Sequence, residues 1–187
     1  MSSKLRIATS SFALIALLAG GLIAAENLSS GPQVGDEVPG PFHPLNLTGE
    51  SAGEKVCLYC KNGSNPVAMI FARESSEPLA KLIKKIDETT AKNKDAKMGS
   101  FVVFLSDSED LGKEVKAWAD KEKVSTCVLS LDNPNGPKGY KVAKEADVTV
   151  VLYTDHKVKA NFAFAKGELK DKNIDEVVSS VSKILPQ

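Results

Sequence analysis

The sequence predicts an α/β protein whose core is a mixed β-sheet, and three features of the 187-residue chain indicate this. An apolar run of strand length at 67–71 precedes apolar residues at helical spacing at 79–86. The same change from a strand pattern to a helix pattern recurs at 101–119. A hairpin pattern and another amphipathic segment then close the chain. Alternating strands and helices favour a parallel sheet with helices on both faces, and the closing hairpin adds an antiparallel edge.

Two strand–helix units follow one another after Pro66. Val67–Phe71 is continuously apolar, as expected of a buried strand, and Pro78 suits the first turn of the helix that follows. Phe101–Leu105 is the second buried strand, and Ser106–Glu109 matches a capping box that opens the next helix. The inner faces of the two helices are expected to contain Leu79, Leu82, Ile83 and Ile86, and Leu111, Val115, Trp118 and Ala119.

The carboxyl-terminal part predicts a third strand, a loop, a hairpin and a last helix. Thr126–Leu131 has a strand pattern, and Gly139–Ala146 is at most a short helix after a loop rich in Asn, Gly and Pro. Val148–Tyr153 and Lys157–Phe164 are predicted to form the hairpin. Asn173 is the expected N-cap of the last helix. The inner face of this helix is expected to contain Ile174, Val177, Val178, Val181 and Ile184.

The amino terminus has the pattern of an export signal. Lys4 and Arg6 precede a largely apolar, uncharged stretch at 7–23 that small residues follow. We therefore expect residues 1–25 to be a cleaved signal peptide, which leaves a secreted or periplasmic protein without membrane contact. An uncleaved membrane anchor is the alternative, because the stretch is nearly long enough to span a bilayer.

The rest of the chain is expected to form one domain with an extension. Residues 26–65 are rich in Gly, Pro and Ser and predict a loop-rich extension, whereas 66–187 carries the regular core. Basic and acidic residues are interleaved and nearly balanced, which is not the pattern of a nucleic-acid-binding protein. No phosphate-binding loop or other cofactor motif is present, so no cofactor is expected.

A Cys-x-x-Cys pair, Cys57 and Cys60, is the main candidate for chemistry. In an oxidising compartment this spacing predicts a disulfide, and the turn-prone residues 61–65 after it predict no helix start. The pair is either a redox site that exchanges with partner thiols and disulfides or a static staple on the extension. The spacing does not decide which cysteine attacks.

Metal binding is a third interpretation of the same pair. Cys127, His43 or His156 would have to join it to complete a zinc or copper site. The second Cys/His pair that usually announces a zinc site is missing, so no metal ligand is assigned. Cys127 lies in an apolar run and is expected to be a small buried hydrophobic residue.

The order of the elements, with Val34–Phe42 before the core and Tyr140–Val142 before the hairpin, resembles the thioredoxin fold. The resemblance is nearest to peroxiredoxins and exported thiol-disulfide reductases and covers about residues 33–186. It implies partners that contain thiols or disulfides. In that family the reactive cysteine follows the first core strand, but Ala72–Pro78 contains no cysteine here. A cis-proline should stand before the hairpin strand, where this chain has Val148.

These features together predict an exported thioredoxin-like protein that performs thiol–disulfide exchange, with Cys57 and Cys60 as catalytic residues. The alternative is a non-catalytic thioredoxin-fold binding or structural module in which the Cys57–Cys60 disulfide is static. Zinc or copper handling is the third interpretation.

Overall fold

The computed structural model describes residues 28–186. The predicted signal peptide, residues 1–25, lies outside this range. Within it, every helix is too short or too polar to cross a membrane.

The core is a six-stranded mixed sheet with the strand order β1-β4-β3-β2-β5-β6. The three central strands β2, β3 and β4 run parallel, and β1, β5 and β6 pair antiparallel with their neighbours. The predicted α/β fold with a mixed sheet is therefore confirmed. The strands are β1 (Leu45–Asn46), β2 (Val67–Ala72), β3 (Gly99–Leu105), β4 (Cys127–Asp132), β5 (Ala146–Thr154) and β6 (Lys157–Ala165).

Four α-helices accompany the sheet: α1 (Leu58–Asn62), α2 (Glu77–Lys92), α3 (Glu109–Glu122) and α4 (Asp171–Ser180). Two single 3₁₀ turns, Lys94–Ala96 and Val181–Lys183, follow α2 and α4.

Two expectations about helix ends were wrong. The N-cap of α3 is Ser108, whose hydroxyl accepts from the N–H of Leu111, rather than Ser106. Asn173 lies in the first turn of α4, where its side chain accepts from the N–H of Lys170 at the N-cap position. The segment before β5, for which at most a short helix was expected, forms turns and irregular backbone, because Gly139 and Lys141 both have positive φ.

The three long helices cover one face of the sheet. Because β2, β3 and β4 lie side by side in chain order, the right-handed crossovers place α2 and α3 on the same face. Asp87 of α2 anchors the start of β4, since one of its carboxylate oxygens accepts from the N–H groups of Ser125, Thr126 and Cys127 at 2.7 to 3.1 Å. The core on this face includes Ile70, Leu82, Ile86, Val102, Leu129, Val150 and Ile174.

The other face is covered by α1 and by irregular backbone. The amino-terminal segment and the loop before β5 bring Val38, Phe42, Leu58 and Tyr140 onto the sheet. Hydrogen bonds hold this layer in place. The hydroxyls of Ser30 and Thr149 lie 2.7 Å apart, and the Asn161 amide donates to the Ser30 carbonyl. Beneath the layer lie Val67, Met69, Phe71, Phe101, Val103, Val151, Tyr153 and Val158.

Candidate redox site

Cys57 and Cys60 form a disulfide at the amino-terminal end of β2. Their Cα atoms are 5.2 Å apart, a normal separation for a bridged pair. The hairpin turn between β5 and β6 lies at the same end of the sheet, because Val67 at the start of β2 pairs with Tyr153 near the end of β5. The N–H of Asp155 in that turn donates to the carbonyl of Ser64. The short segment that follows the disulfide therefore contacts the hairpin turn.

The expectation that no helix starts near the pair was wrong. Residues 58–62 form the short helix α1, and Cys57 is its N-cap residue. Cysteine is not among the usual N-cap residues, and five residues are too few to show a helical period in the sequence. Inside the last turn the Asn62 amide donates to the Leu58 carbonyl, and Gly63 ends the helix with a positive φ.

The two sulfur-bearing residues differ in exposure and in hydrogen bonding. Cys57 is buried, with 7% of its surface exposed, whereas Cys60 is an exposed residue. The backbone N–H of Cys60 donates to the Sγ atom of Cys57 over 3.0 Å. The pair thus presents one cysteine to solvent and holds the other inside, beside an N–H donor.

An aromatic cluster packs against the helix that carries the pair. The ring centroid of Tyr59 lies 4.9 Å from that of His156 and 6.5 Å from that of Tyr153. His156 is half-buried, and within residues 28–186 its Nδ1 atom and the Tyr153 hydroxyl have no hydrogen-bond partner. Burial raises the pKa of both Tyr140 and Tyr153, because it disfavours the charged phenolate. The Tyr140 hydroxyl donates to the Gly40 carbonyl.

The position at which the resemblance implies a reactive cysteine, Ala72–Pro78, lies at the opposite end of β2. A six-residue strand is about 17 to 20 Å long, so the two ends are well separated. Arg73 occupies this end, where its guanidinium donates to the carbonyls of Pro134, Ala143 and Ala146. Burial and the nearby Glu74 carboxylate raise the pKa of Asp147 beside it. Arg73 binds backbone carbonyls, Glu74 pairs with Lys166, and none of these side chains is a thiol.

A cleft of about 360 Å³ opens beside this end, between α2 and α3. Its walls are mostly apolar and include Leu79, Ile83, Phe104, Val115 and Trp118. At its mouth the Ser75 hydroxyl donates to a carboxylate oxygen of Glu114 at 2.8 Å. Sequence reasoning assigned the helix faces correctly as core but gave no sign that they leave a gap.

The residues considered as metal ligands do not meet. Cys127 is buried in the core beneath the long helices, His43 is exposed, and only His156 lies near the pair. Within residues 28–186 no group of three or more His, Cys, Asp or Glu side chains has a metal-binding arrangement. Burial raises the pKa of the Cys127 thiol to about 12, which keeps it protonated at neutral pH.

Comparison with known proteins identifies solved structures that share the fold. No family model matches the chain, and no curated protein matches it. Among solved structures, it is similar to a candidate protein disulfide isomerase from Bacteroides thetaiotaomicron, with a TM-score of 0.64 and 17% identity over 86% of this chain and 96% of that one.

Two further structures come from Mycobacterium tuberculosis. The peroxidoxin BcpB has a TM-score of 0.59 and 15% identity, covering 83% of this chain and 99% of that one. A secreted disulfide oxidoreductase homologous to E. coli DsbE has a TM-score of 0.51 and 10% identity, covering 75% and 94%. Identities this low show the fold alone. The chain therefore has a thioredoxin-like fold of the kind found in thiol-disulfide oxidoreductases and peroxiredoxins, and it carries a Cys57–Cys60 CxxC pair.

Proposed function

We propose that the protein performs thiol–disulfide exchange through Cys57 and Cys60. The observation that carries this proposal is a closed CxxC disulfide with one exposed cysteine, located at the end of a thioredoxin-like sheet. An exposed disulfide can be attacked by a partner thiolate, whereas a fully buried one is inert. The expected partners are proteins that contain thiols or disulfides.

The fold tolerates opening of this disulfide. Cross-linking two cysteines three positions apart removes little entropy from the unfolded chain, so the bridge stabilises the fold by only about 2 kcal/mol. Leu58, between the two cysteines, also packs into the core of the second face and thereby holds α1 on the sheet. The pair can therefore alternate between the oxidised and reduced forms while the domain stays folded.

The proposed setting is outside the cytoplasm. It rests on the charged and apolar pattern of residues 1–25, which we propose to be a signal peptide that is removed. A structural neighbour described as secreted is consistent with this setting. We also propose that 26–65 is an extension and 66–187 the core of one folded unit.

The reduction potential of the Cys57–Cys60 pair tests the function. The oxidised fraction is measured by alkylation and mass spectrometry across dithiol redox buffers. A value above about −270 mV would match exchange-competent disulfides, and a value below about −300 mV would mark a structural bridge and refute the proposal.

An activity assay with matched variants completes the test. Wild-type protein should catalyse the reduction of insulin by dithiothreitol, and the Cys57→Ser/Cys60→Ser variant should not. Cys127→Ala is the control, since it removes a thiol on the opposite face of the sheet and should leave the activity unchanged. Equal activity of the double variant and the wild type would refute a role for the pair.

A second candidate function is a binding or structural module with a static disulfide. The absence of a thiol at Ala72–Pro78 favours it, because the fold is then retained without its usual catalytic group. This module predicts the low reduction potential above and only a small loss of stability in the double variant.

A further inference from the structure

Building on the proposed exchange activity, we infer that Cys60 is the sulfur that exchanges with the partner and that Cys57 is the internal cysteine that leaves and later resolves. The inference rests on two independent differences between the cysteines, one of access and one of hydrogen bonding.

Access favours attack on Cys60. Attack on a disulfide requires the incoming thiolate to reach one sulfur in line with the bond that breaks. Cys60 is an exposed residue in the middle of α1, whereas only 7% of Cys57 is exposed. A partner approaching from solvent therefore meets Cys60 first.

Hydrogen bonding favours the departure of Cys57. When the bond breaks, the leaving sulfur carries the negative charge, and a donor beside it stabilises that charge. The N–H of Cys60 already points at the Sγ atom of Cys57, 3.0 Å away. The donor is part of the backbone, so it stays in place when the disulfide opens.

The exchange then proceeds in two balanced steps. A partner thiolate attacks Sγ of Cys60, a mixed disulfide forms, and the electron pair of the broken bond passes to Sγ of Cys57. A second partner thiolate attacks the partner sulfur of the mixed disulfide and releases the Cys60 thiolate. The partner dithiol has been oxidised by two electrons, and the Cys57–Cys60 pair has been reduced. The reverse reaction begins with attack by the Cys60 thiolate on a partner disulfide.

Trapping of the mixed disulfide on wild-type protein tests the inference without any mutation. The oxidised protein is mixed briefly with reduced glutathione, quenched in acid and treated with a thiol-alkylating reagent that reacts at low pH. Trypsin cleaves after Lys55 and Lys61, so one peptide, 56–61, carries both cysteines, and its fragment ions locate the glutathione. We expect at least about tenfold more glutathione on Cys60 than on Cys57. Equal labelling or an excess on Cys57 would overturn the inference.

Single-cysteine variants give a second measurement. Cys57→Ser and Cys60→Ser both keep the backbone N–H at position 60, and Ser is a good N-cap at position 57. With a disulfide reagent such as 5,5′-dithiobis(2-nitrobenzoic acid), Cys60 should react at least about tenfold faster than Cys57 in folded protein, and the two rates should converge in urea. Faster reaction of Cys57 in the folded state would refute the assignment.

The outcomes also separate this inference from the proposed function. Glutathione on Cys57 together with insulin reduction would overturn the order of attack and leave the exchange activity intact. The absence of a mixed disulfide at both cysteines, together with no insulin reduction, would overturn both.

Discussion

Replacing Tyr153 with Phe should stabilise the protein. The Tyr153 side chain is fully buried, and its hydroxyl has no hydrogen-bond partner within residues 28–186. Tyr140 provides a matched comparison in the same aromatic layer, because it is equally buried but its hydroxyl donates to the Gly40 carbonyl. The two tyrosines therefore differ in whether the hydroxyl is satisfied.

The magnitude follows from that difference. A buried hydroxyl without a partner costs about 1 to 3 kcal/mol, and Tyr153→Phe removes this cost while keeping the ring and its packing. We expect the free energy of unfolding to rise by about 1 kcal/mol. Tyr140→Phe should lower it by about 1 kcal/mol, because the variant loses a hydrogen bond and leaves the Gly40 carbonyl without its donor.

Urea unfolding of the oxidised proteins measures both changes. The single tryptophan, Trp118, reports by fluorescence from a different face of the sheet, so neither substitution alters its surroundings directly. The slope with urea should be the same for all three proteins, so that a shift in midpoint reports stability. A loss of 1 kcal/mol or more in Tyr153→Phe would refute the reasoning, since it would mean that the hydroxyl has a stabilising partner.

Three further changes test other contacts in the fold. Asp87→Ala should lower the free energy of unfolding by about 2 to 4 kcal/mol, because the start of β4 loses its anchor. Asp175→Ala removes only an exposed ion pair, so it should lower the free energy of unfolding by less than about 1 kcal/mol. Equal losses for the two variants in urea melts would contradict this. Burial raises the pKa of Cys127 from an ordinary value of 9.0 to about 12, so the unfolded chain loses its thiol proton first as the pH rises, and stability should fall above pH 9.0. Urea melts should show wild-type protein losing about 1 kcal/mol more per pH unit than Cys127→Ala between about pH 9 and 11, and parallel curves would refute the shift. Gly99→Ala would place a methyl group against the Asn62 amide that closes α1. It should therefore lower the free energy of unfolding by about 1 kcal/mol in the wild type and leave it unchanged in an Asn62→Ala background. Additive losses of stability in this double-mutant cycle would exclude the clash.

The regular core was predictable because its signals are local. Val67–Phe71 and Phe101–Leu105 are apolar enough to be strands with both faces buried, and the spacing of Leu79, Leu82, Ile83 and Ile86 matches the buried side of α2. The hairpin was predictable for the same reason, since period-two alternation and a polar turn are both readable within a few residues.

The candidate site was only partly predictable because its geometry depends on distant contacts. The sequence identified Cys57 and Cys60 as a pair, but the difference in their burial arises from packing against the sheet and cannot be read from spacing. His156 falls in the turn of the predicted hairpin, yet its ring packs on Tyr59 almost a hundred positions away. The helix that begins directly after Cys57 was missed because a five-residue helix capped by cysteine carries no recognisable start signal.

The layer over the second face of the sheet has a consequence for how the chain acquires its structure. Ser30 bonds to residues 119 and 131 positions further along, so its partners in β5 and β6 do not exist when it is synthesised. The Phe42 ring likewise packs on Tyr140, about a hundred positions further along the chain. Pairings between such remote positions make closure late and slow. This layer therefore stays open until β5 and β6 have been made, and a segment that closes late remains unfolded during the proposed export.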